Sequence, residues 1–395
     1  MVIDLDVVPP SREPARTRPR FPARRALVLV VLLALLPGAA EVPPRVRDLP
    51  LVAATSSASG TWLLTGATLY STHARAGGRM DVVARSLTAG EVLWQRDIPW
   101  WSGIPALTEA GPMLLVTGPA GVGTRILDGR TGEDGVDPAT YTVALPVGDR
   151  IALYGDGAGG RLALYDPAQG RIAWQRRFGR PLRAAAATGA HLITVDDTGV
   201  AATFALNSGE PGATTGQAIP GGSAPVVRIL GSRAYLLGDR TVTSVTVPNL
   251  TGLWTTALPL PRVAVACGAR VCVSGAAGVS AINPETGRVA WNNLDWTGGE
   301  AGLVRAADGH GVLVDPETGG VRADLGPGLP VGDLLLRAGP DGLSVVEWAT
   351  GQIRGRLPGV TPSGCRRTGD HLACQQVGGP VQVWRLLHTP AWYGQ

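Results

Sequence analysis

Apolar and polar residues alternate in short runs along most of this chain. "RIALYGD" (150–156), "RLALYD" (161–166), "HLITVDD" (191–197), "AYLLGD" (234–239), "VTSVTV" (242–247), "LLLRAG" (334–339) and "LSVVEW" (343–348) are rich in β-type residues. None continues with the i, i+3, i+4 period of an amphipathic helix. The chain carries 55 Gly and 32 Pro, spread over its whole length. Punctuation this dense breaks helices and predicts many short strands joined by tight turns.

The turns repeat. "DPAQGRIAW" (166–174) and "NPETGRVAW" (283–291) share one layout, and "DPETGGVRA" (315–323) repeats its first half. Turn glycines recur at Gly90, Gly132, Gly170, Gly209, Gly252, Gly287, Gly319 and Gly351, about 32 to 43 residues apart. Several short strands per unit at such a period predict a β-propeller, in which each unit buries its faces on its neighbours. The glycine suits a turn position that needs φ > 0. Trp94, Trp174 and Trp291 each stand four residues past their glycine, while Trp254 stands two past Gly252. These four rings are expected on outermost strands, filling the wedge that widens between blades away from the axis.

"DPAQGRIAW" and "NPETGRVAW" resemble the repeat of the pyrroloquinoline-quinone (PQQ)-like propellers, over roughly residues 50–390. That family holds quinoprotein dehydrogenases and non-enzymatic envelope scaffold lipoproteins. The resemblance implies an all-β fold: a single propeller of about eight four-stranded blades, with seven or nine as the alternatives. Eight turns are marked, and a last unit, "DHLACQQV…VQVWRLL", is unmarked. That unit lacks an outer strand of its own. Residues around Leu49 to Ala54 are therefore expected to pair with the strand from Val381 to Leu387 and close the ring.

Charge and hydropathy set the N-terminus apart. Residues 1–25 hold six Arg against Asp4, Asp6 and Glu13, so most of the net +4 lies there. The rest is close to neutral, which excludes a nucleic-acid binder. The tail reads as a disordered cytoplasmic Arg/Pro-rich segment. Residues 26–40, "ALVLVVLLALLPGAA", read as a transmembrane anchor or signal segment. The unbroken core is short for a span and suits a signal h-region ending at Gly38-Ala39-Ala40. Pro37 comes late enough for a short tilted helix to continue instead. Both readings place residues 41–395 outside the cytoplasm, either on a single-pass cell-membrane protein or on one secreted after cleavage near Ala40.

The four cysteines agree with export. Cys365 and Cys374 are symmetric about Gly369-Asp370, and Cys267 and Cys272 about Ala269-Arg270. In two-residue hairpins both pairs fall on non-hydrogen-bonded sites, close enough for disulfides. Two local disulfides predict an oxidising compartment.

Candidate chemistry is sparse. Quinoprotein enzymes use a ring of two adjacent Cys, calcium ligands of Glu and Asn type and an Asp base, and no adjacent Cys exists here. "GDGAGG" (155–160) fits a GxGxxG pattern but joins two strands, with no helix to meet a phosphate. His73, His191, His310, His371 and His388 are scattered among different units. Trp100, Trp101, Phe178 and Trp296 follow outer strands at similar offsets and form a candidate aromatic partner surface on one rim. The expectation is a membrane-tethered, extracytoplasmic propeller acting as a protein-interaction or scaffold module. It has no catalysis and no cofactor, and its partner is an envelope protein or a glycan. The alternative is an enzyme with a site in the central funnel, a quinone-dependent oxidoreductase or a hydrolase.

Overall fold

The computed structural model describes residues 47–386, apart from 56–59, 101–102, 119–122, 138–139, 156–159, 216–225, 301–302, 340–341, 359, 361 and 377–378. The Arg-rich tail, the apolar segment 26–40 and Trp101 lie outside the described residues. Within them the regular structure is all strand, and no helix is long and apolar enough to cross a membrane.

The described strands form nine antiparallel sheets, eight of four strands and one of three. Each is one blade, built outward from the channel in chain order. Blade 1 runs from Trp62–Leu64 to Val92–Pro99 and blade 2 from Ala106–Ala110 to Arg125–Asp128. Blade 3 spans Val143–Val147 to Arg171–Arg177, blade 4 Leu182–Thr188 to Pro211–Thr214, and blade 5 Val226–Leu230 to Gly252–Ala257. Blade 6 spans Pro261–Cys267 to Val289–Asn293, blade 7 Trp296–Glu300 to Val321–Pro327, and blade 8 Leu329–Val331 to Gln352–Leu357. Blade 9 has Pro362–Thr368, His371–Gln376 and Val381–Arg385 from the C-terminal side, and Leu51–Ala54 as its outer strand. In blade 2 the fourth strand shrinks to a single bridge, Leu127 to Asp134. Innermost strands of successive blades meet around the ring, blade 7 reaching blade 8 through its second strand, and blade 9 meets blade 1.

The count is nine, one more than the eight expected. The extra unit is the one without a turn glycine. Blade 9 takes its outer strand from the N-terminal arm, so no local third-to-fourth turn exists to mark it. Leu51 pairs with Trp384, Ala53 with Val383 and Ala54 with Gln382, the closure expected from the sequence.

The core is divided among the seams between blades. Tyr70, Val82 and Trp94 of blade 1 pack on Leu114, Val116 and Leu127 of blade 2. Tyr235 and Val242 of blade 5 pack on Val271 and Val273 of blade 6 in the same way. Two-sided burial explains the near-continuous apolar middle strands, such as Ile151–Tyr154, all buried.

Each of the four outer-strand tryptophans lies against the turn of the following blade. Trp94 Nε1 donates to Gly129 O at 2.9 Å, Trp174 Nε1 to Leu206 O at 2.8 Å, Trp254 Nε1 to Pro284 O at 2.8 Å and Trp291 Nε1 to Pro316 O at 2.9 Å. A Cβ at Gly132 would stand 2.6 Å from the Trp94 ring, and one at Gly209 2.5 Å from Trp174. The turn glycine thus serves two purposes: it takes φ +74 at residue 132, and it leaves room for the neighbour's indole. Blade 5 departs from the pattern. Its left-handed turn residue is Leu250, φ 52, not Gly252. Counted from Leu250, Trp254 has the same four-residue offset as the others.

Candidate functional site: the central channel

The first strand of each blade lines the channel. These nine strands carry Arg183, Arg228, Arg262, Arg366 and Arg367 against Glu109 and Glu300. Burial raises the pKa of the Glu109 carboxyl above its ordinary value.

A cavity of about 700 Å³ opens on the channel between blades 6 and 1. Val263, Val265, Leu303 and Leu329 give it an apolar wall, and Thr297, Ser274 and Thr368 are among its polar lining. Arg305, Arg366 and Arg367 line it as well, with no carboxylate among the described lining residues. Arg367 is paired with Asp333. Arg366 lies over the Trp62 ring, 5.5 Å from its centroid, and Trp62 Nε1 donates to Gln375 Oε1 at 3.2 Å. Hairpin register sets the heights of these groups. Counting residue pairs from the turn, Arg366 stands two pairs above Thr368–His371. Arg305, opposite Thr297, stands two pairs above Glu300–Leu303.

Cys365 also lines this cavity, and its disulfide to Cys374 joins directly opposed residues with Cα atoms 4.1 Å apart. Cys267 and Cys272 are bonded too, at a Cα separation of 5.7 Å, but in a different register from the one expected. The turn is Gly268-Ala269, so Cys267 faces Arg270 and Cys272 faces Val265. Gly268 takes φ +59 at the first turn position, where a side chain would be strained, and that fixes the hairpin one residue earlier.

Of the rings expected to form an aromatic partner surface, the three described ones, Trp100, Phe178 and Trp296, pack against the blades. Trp296 is 6% exposed and packs edge-on against Trp291 at 5.9 Å. Phe178 sits between Tyr154 and Phe204, at 6.3 and 6.1 Å. Trp100 is half-buried against the seam of blades 1 and 2, its Nε1 donating to Gly103 O. An aromatic ring leaving an outer strand gains more by covering the blade end than by standing in water.

One serine, histidine and aspartate come together in blade 1. Ser71 Oγ is 3.2 Å from His73 Nε2, and His73 is paired across the strands with Asp81. Asp81 directs Oδ2 to Arg75 and Gln95, however, and Ser71 is only 3% exposed, so the group is not set out as a nucleophile and its base. Burial lowers the His73 pKa. Among the described residues no cluster of His, Cys, Asp and Glu has the arrangement of a metal site.

No family model matches the chain, and no curated protein matches it. Among solved structures it is similar to BamB from Moraxella catarrhalis, at 18% identity and TM-score 0.49, over 86% of this chain and 98% of that one. It is similar to the computationally designed Ika8 protein at 13% identity and TM-score 0.52, over 85% of this chain and 99% of that one. The WD40 domain of Toxoplasma gondii coronin matches at 13% identity and TM-score 0.37, over 61% and 79%. At such identities the likeness concerns the fold alone.

Proposed function

We propose that this chain is an extracytoplasmic propeller of the PQQ-like kind, tethered through residues 26–40, that serves as a binding or scaffold module for another envelope protein. The observation that carries this reading lies on the outer circumference. Blades 5, 6 and 7 are consecutive, and their outer strands expose Leu253, Val289 and Val321 at 40%, 41% and 59%. Val289 and Val321 begin their strands just past the turn, and Leu253 is the second residue of its strand. Three apolar side chains repeated on neighbouring free strand edges suit a partner that lies across blades, or adds a strand to one of them. The two hairpin disulfides support an oxidising compartment.

The test is photo-crosslinking in cells from positions 253, 289 and 321, followed by mass spectrometry. One recurrent envelope partner, lost in Val289→Asp/Val321→Asp without loss of folding, is expected. Equal crosslinking from a polar position such as Asn292 would refute the surface. For the enzyme alternative, purified protein with PQQ and calcium is expected to reduce no dye, and turnover of an alcohol or sugar would overturn the reading. A C-terminal reporter that is active only after export checks the compartment.

A further inference from the structure

We infer that the channel cavity is a binding site for a small amphiphilic anion, a carboxylate or phosphate monoester head group on an apolar body. This does not depend on the propeller having a protein partner. Three observations converge on it. First, the cavity's size, about 700 Å³, is that of a small-molecule site. Second, its charge is uncompensated. Arg305 and Arg366 line it, both are exposed, and neither has a carboxylate partner among the described residues. Arg367 beside them is neutralised by Asp333, so the positive potential belongs to the other two. Arg183, Arg228 and Arg262, exposed on other first strands, extend it along the channel. A concave wall lined by one sign of charge focuses the field on an anion. Third, Arg366 is held in place. Its stacking on Trp62, itself fixed through Gln375, orients the planar guanidinium before any ligand arrives. A fixed guanidinium fork matches carboxylate and phosphate oxygens bidentately, where a flexible ammonium would not.

The body of the ligand follows from the rest of the wall. Val263, Val265, Leu303 and Leu329 line the cavity from blades 6, 7 and 8. Val263 is 39% exposed, an apolar side chain left in the channel. An inorganic anion would leave this surface wet, and an aliphatic or aromatic tail would cover it. Thr297, opposite Arg305, and Thr368, two residues beyond Arg366, donate their hydroxyls to Arg305 O and Leu64 O at 3.2 and 3.3 Å, which leaves the two guanidiniums as the donors for the head group.

The experiment is calorimetric titration of the full chain in lipid nanodiscs, with empty nanodiscs as the blank. The probes are n-hexyl phosphate, hexanoate, inorganic phosphate and hexanol. One saturable site for hexyl phosphate or hexanoate is expected, and the stronger of the two identifies the head group. Inorganic phosphate and hexanol should each bind at least about tenfold more weakly. Arg366→Gln and Arg305→Gln should each weaken the site by about tenfold or more, the usual effect of removing a charged hydrogen bond. Arg228→Gln, on the same rung of blade 5 but outside the cavity lining, should change nothing. All three arginines are exposed, so melting temperatures of the variants should match the parent and serve as the folding check. Hexanol binding as tightly as hexyl phosphate would overturn the anion assignment. Inorganic phosphate binding as tightly would overturn the apolar body. Unchanged affinity in both cavity variants, or no saturable binding of either organic anion, would overturn the site.

Discussion

The seam between blades 1 and 2 and the seam between blades 8 and 9 solve one geometric problem in two ways. Adjacent blades diverge away from the axis, and the gap must be filled. In the first seam Trp94, four residues past its turn glycine, covers Gly132 of the next blade and donates to Gly129 O. In the second, the residue four past the turn glycine Gly351 is Gly355, which has no side chain. A Cβ there would stand 2.3 Å from Leu49 Cδ2. Leu49, 4% exposed, comes from the N-terminal arm and packs among Leu334, Leu357, Leu372 and Trp384. The arm is bound to the edge of blade 8 by Leu49 N–H to Arg356 O, by Arg356 N–H to Arg47 O, and by the Arg356–Asp48 ion pair. It then crosses to become the outer strand of blade 9. In this seam the place of the indole is taken by a distant part of the chain, and the filler and the ring closure are the same segment.

Deleting residues 46–54 while keeping the upstream segment should break the contrast most severely. It empties one wedge and leaves blade 9 with a bare edge. Loss of the monomer peak in size exclusion and of a cooperative melt is expected. A monomer of unchanged melting temperature would mean that the ring does not need the arm. Single substitutions come next. Trp94→Ala should cost about 3–5 kcal/mol and Leu49→Ala about 2–5 kcal/mol in denaturant unfolding, the range for buried large-to-small changes. A cost below about 1 kcal/mol at either site would show that the wedge there is not a structural bottleneck.

A double-mutant cycle sharpens the comparison. Gly355→Ala should destabilise the parent, because the new methyl meets Leu49. In a Leu49→Ala background the clash part of that cost should vanish, a coupling of about 1 kcal/mol or more, while the strain of φ +156 remains. Additive costs would separate the two residues. Gly132→Ala should likewise remain unfavourable even without Trp94, since its φ of +74 strains any side chain.

The smallest expected effect is that of pH. Burial lowers the pKa of His73 in blade 1 and of His371 in blade 9, the two blades joined by the closure. Their imidazoles stay neutral in the fold while the unfolded chain takes up protons near 6.5. Stability from these two groups should therefore fall as pH drops through 6.5 toward their folded values. His310 in blade 7 behaves oppositely. Its hydrogen bond to Asp324, at 3.0 Å, raises its pKa, so its contribution is present below 6.5 and lost as pH rises through the higher folded value. Proton NMR should find His310 titrating above the other two. The reverse order would contradict both environments. His73→Asn and His371→Asn should flatten the acid limb of the stability profile, and His310→Asn should not.

The amino-acid sequence by itself determined the local grammar of this protein. Strand length, turn position and the offset of Trp94, Trp174 and Trp291 depend on residues a few places apart, and period-2 patterns and left-handed glycines record them directly. The Cys365–Cys374 pairing was legible for the same reason, because Gly369-Asp370 centres its hairpin. Where two adjacent turns were both plausible, a single residue's φ decided. Gly268 moved the other disulfide hairpin by one register, and Leu250, a residue that ordinarily avoids φ > 0, hid the true turn of blade 5. The aromatic rim misled because period and offset give a ring's height on the blade, not whether it turns toward water. The channel's arginines left no motif, since Arg305 and Arg366 are 61 positions apart and come to line one cavity only through the closing of the circle. Their common field, the leucine standing in for a tryptophan, and the ninth blade were decided by tertiary structure alone. Each depends on which blades become neighbours, and long-range burial sets that, not any preference written within a repeat.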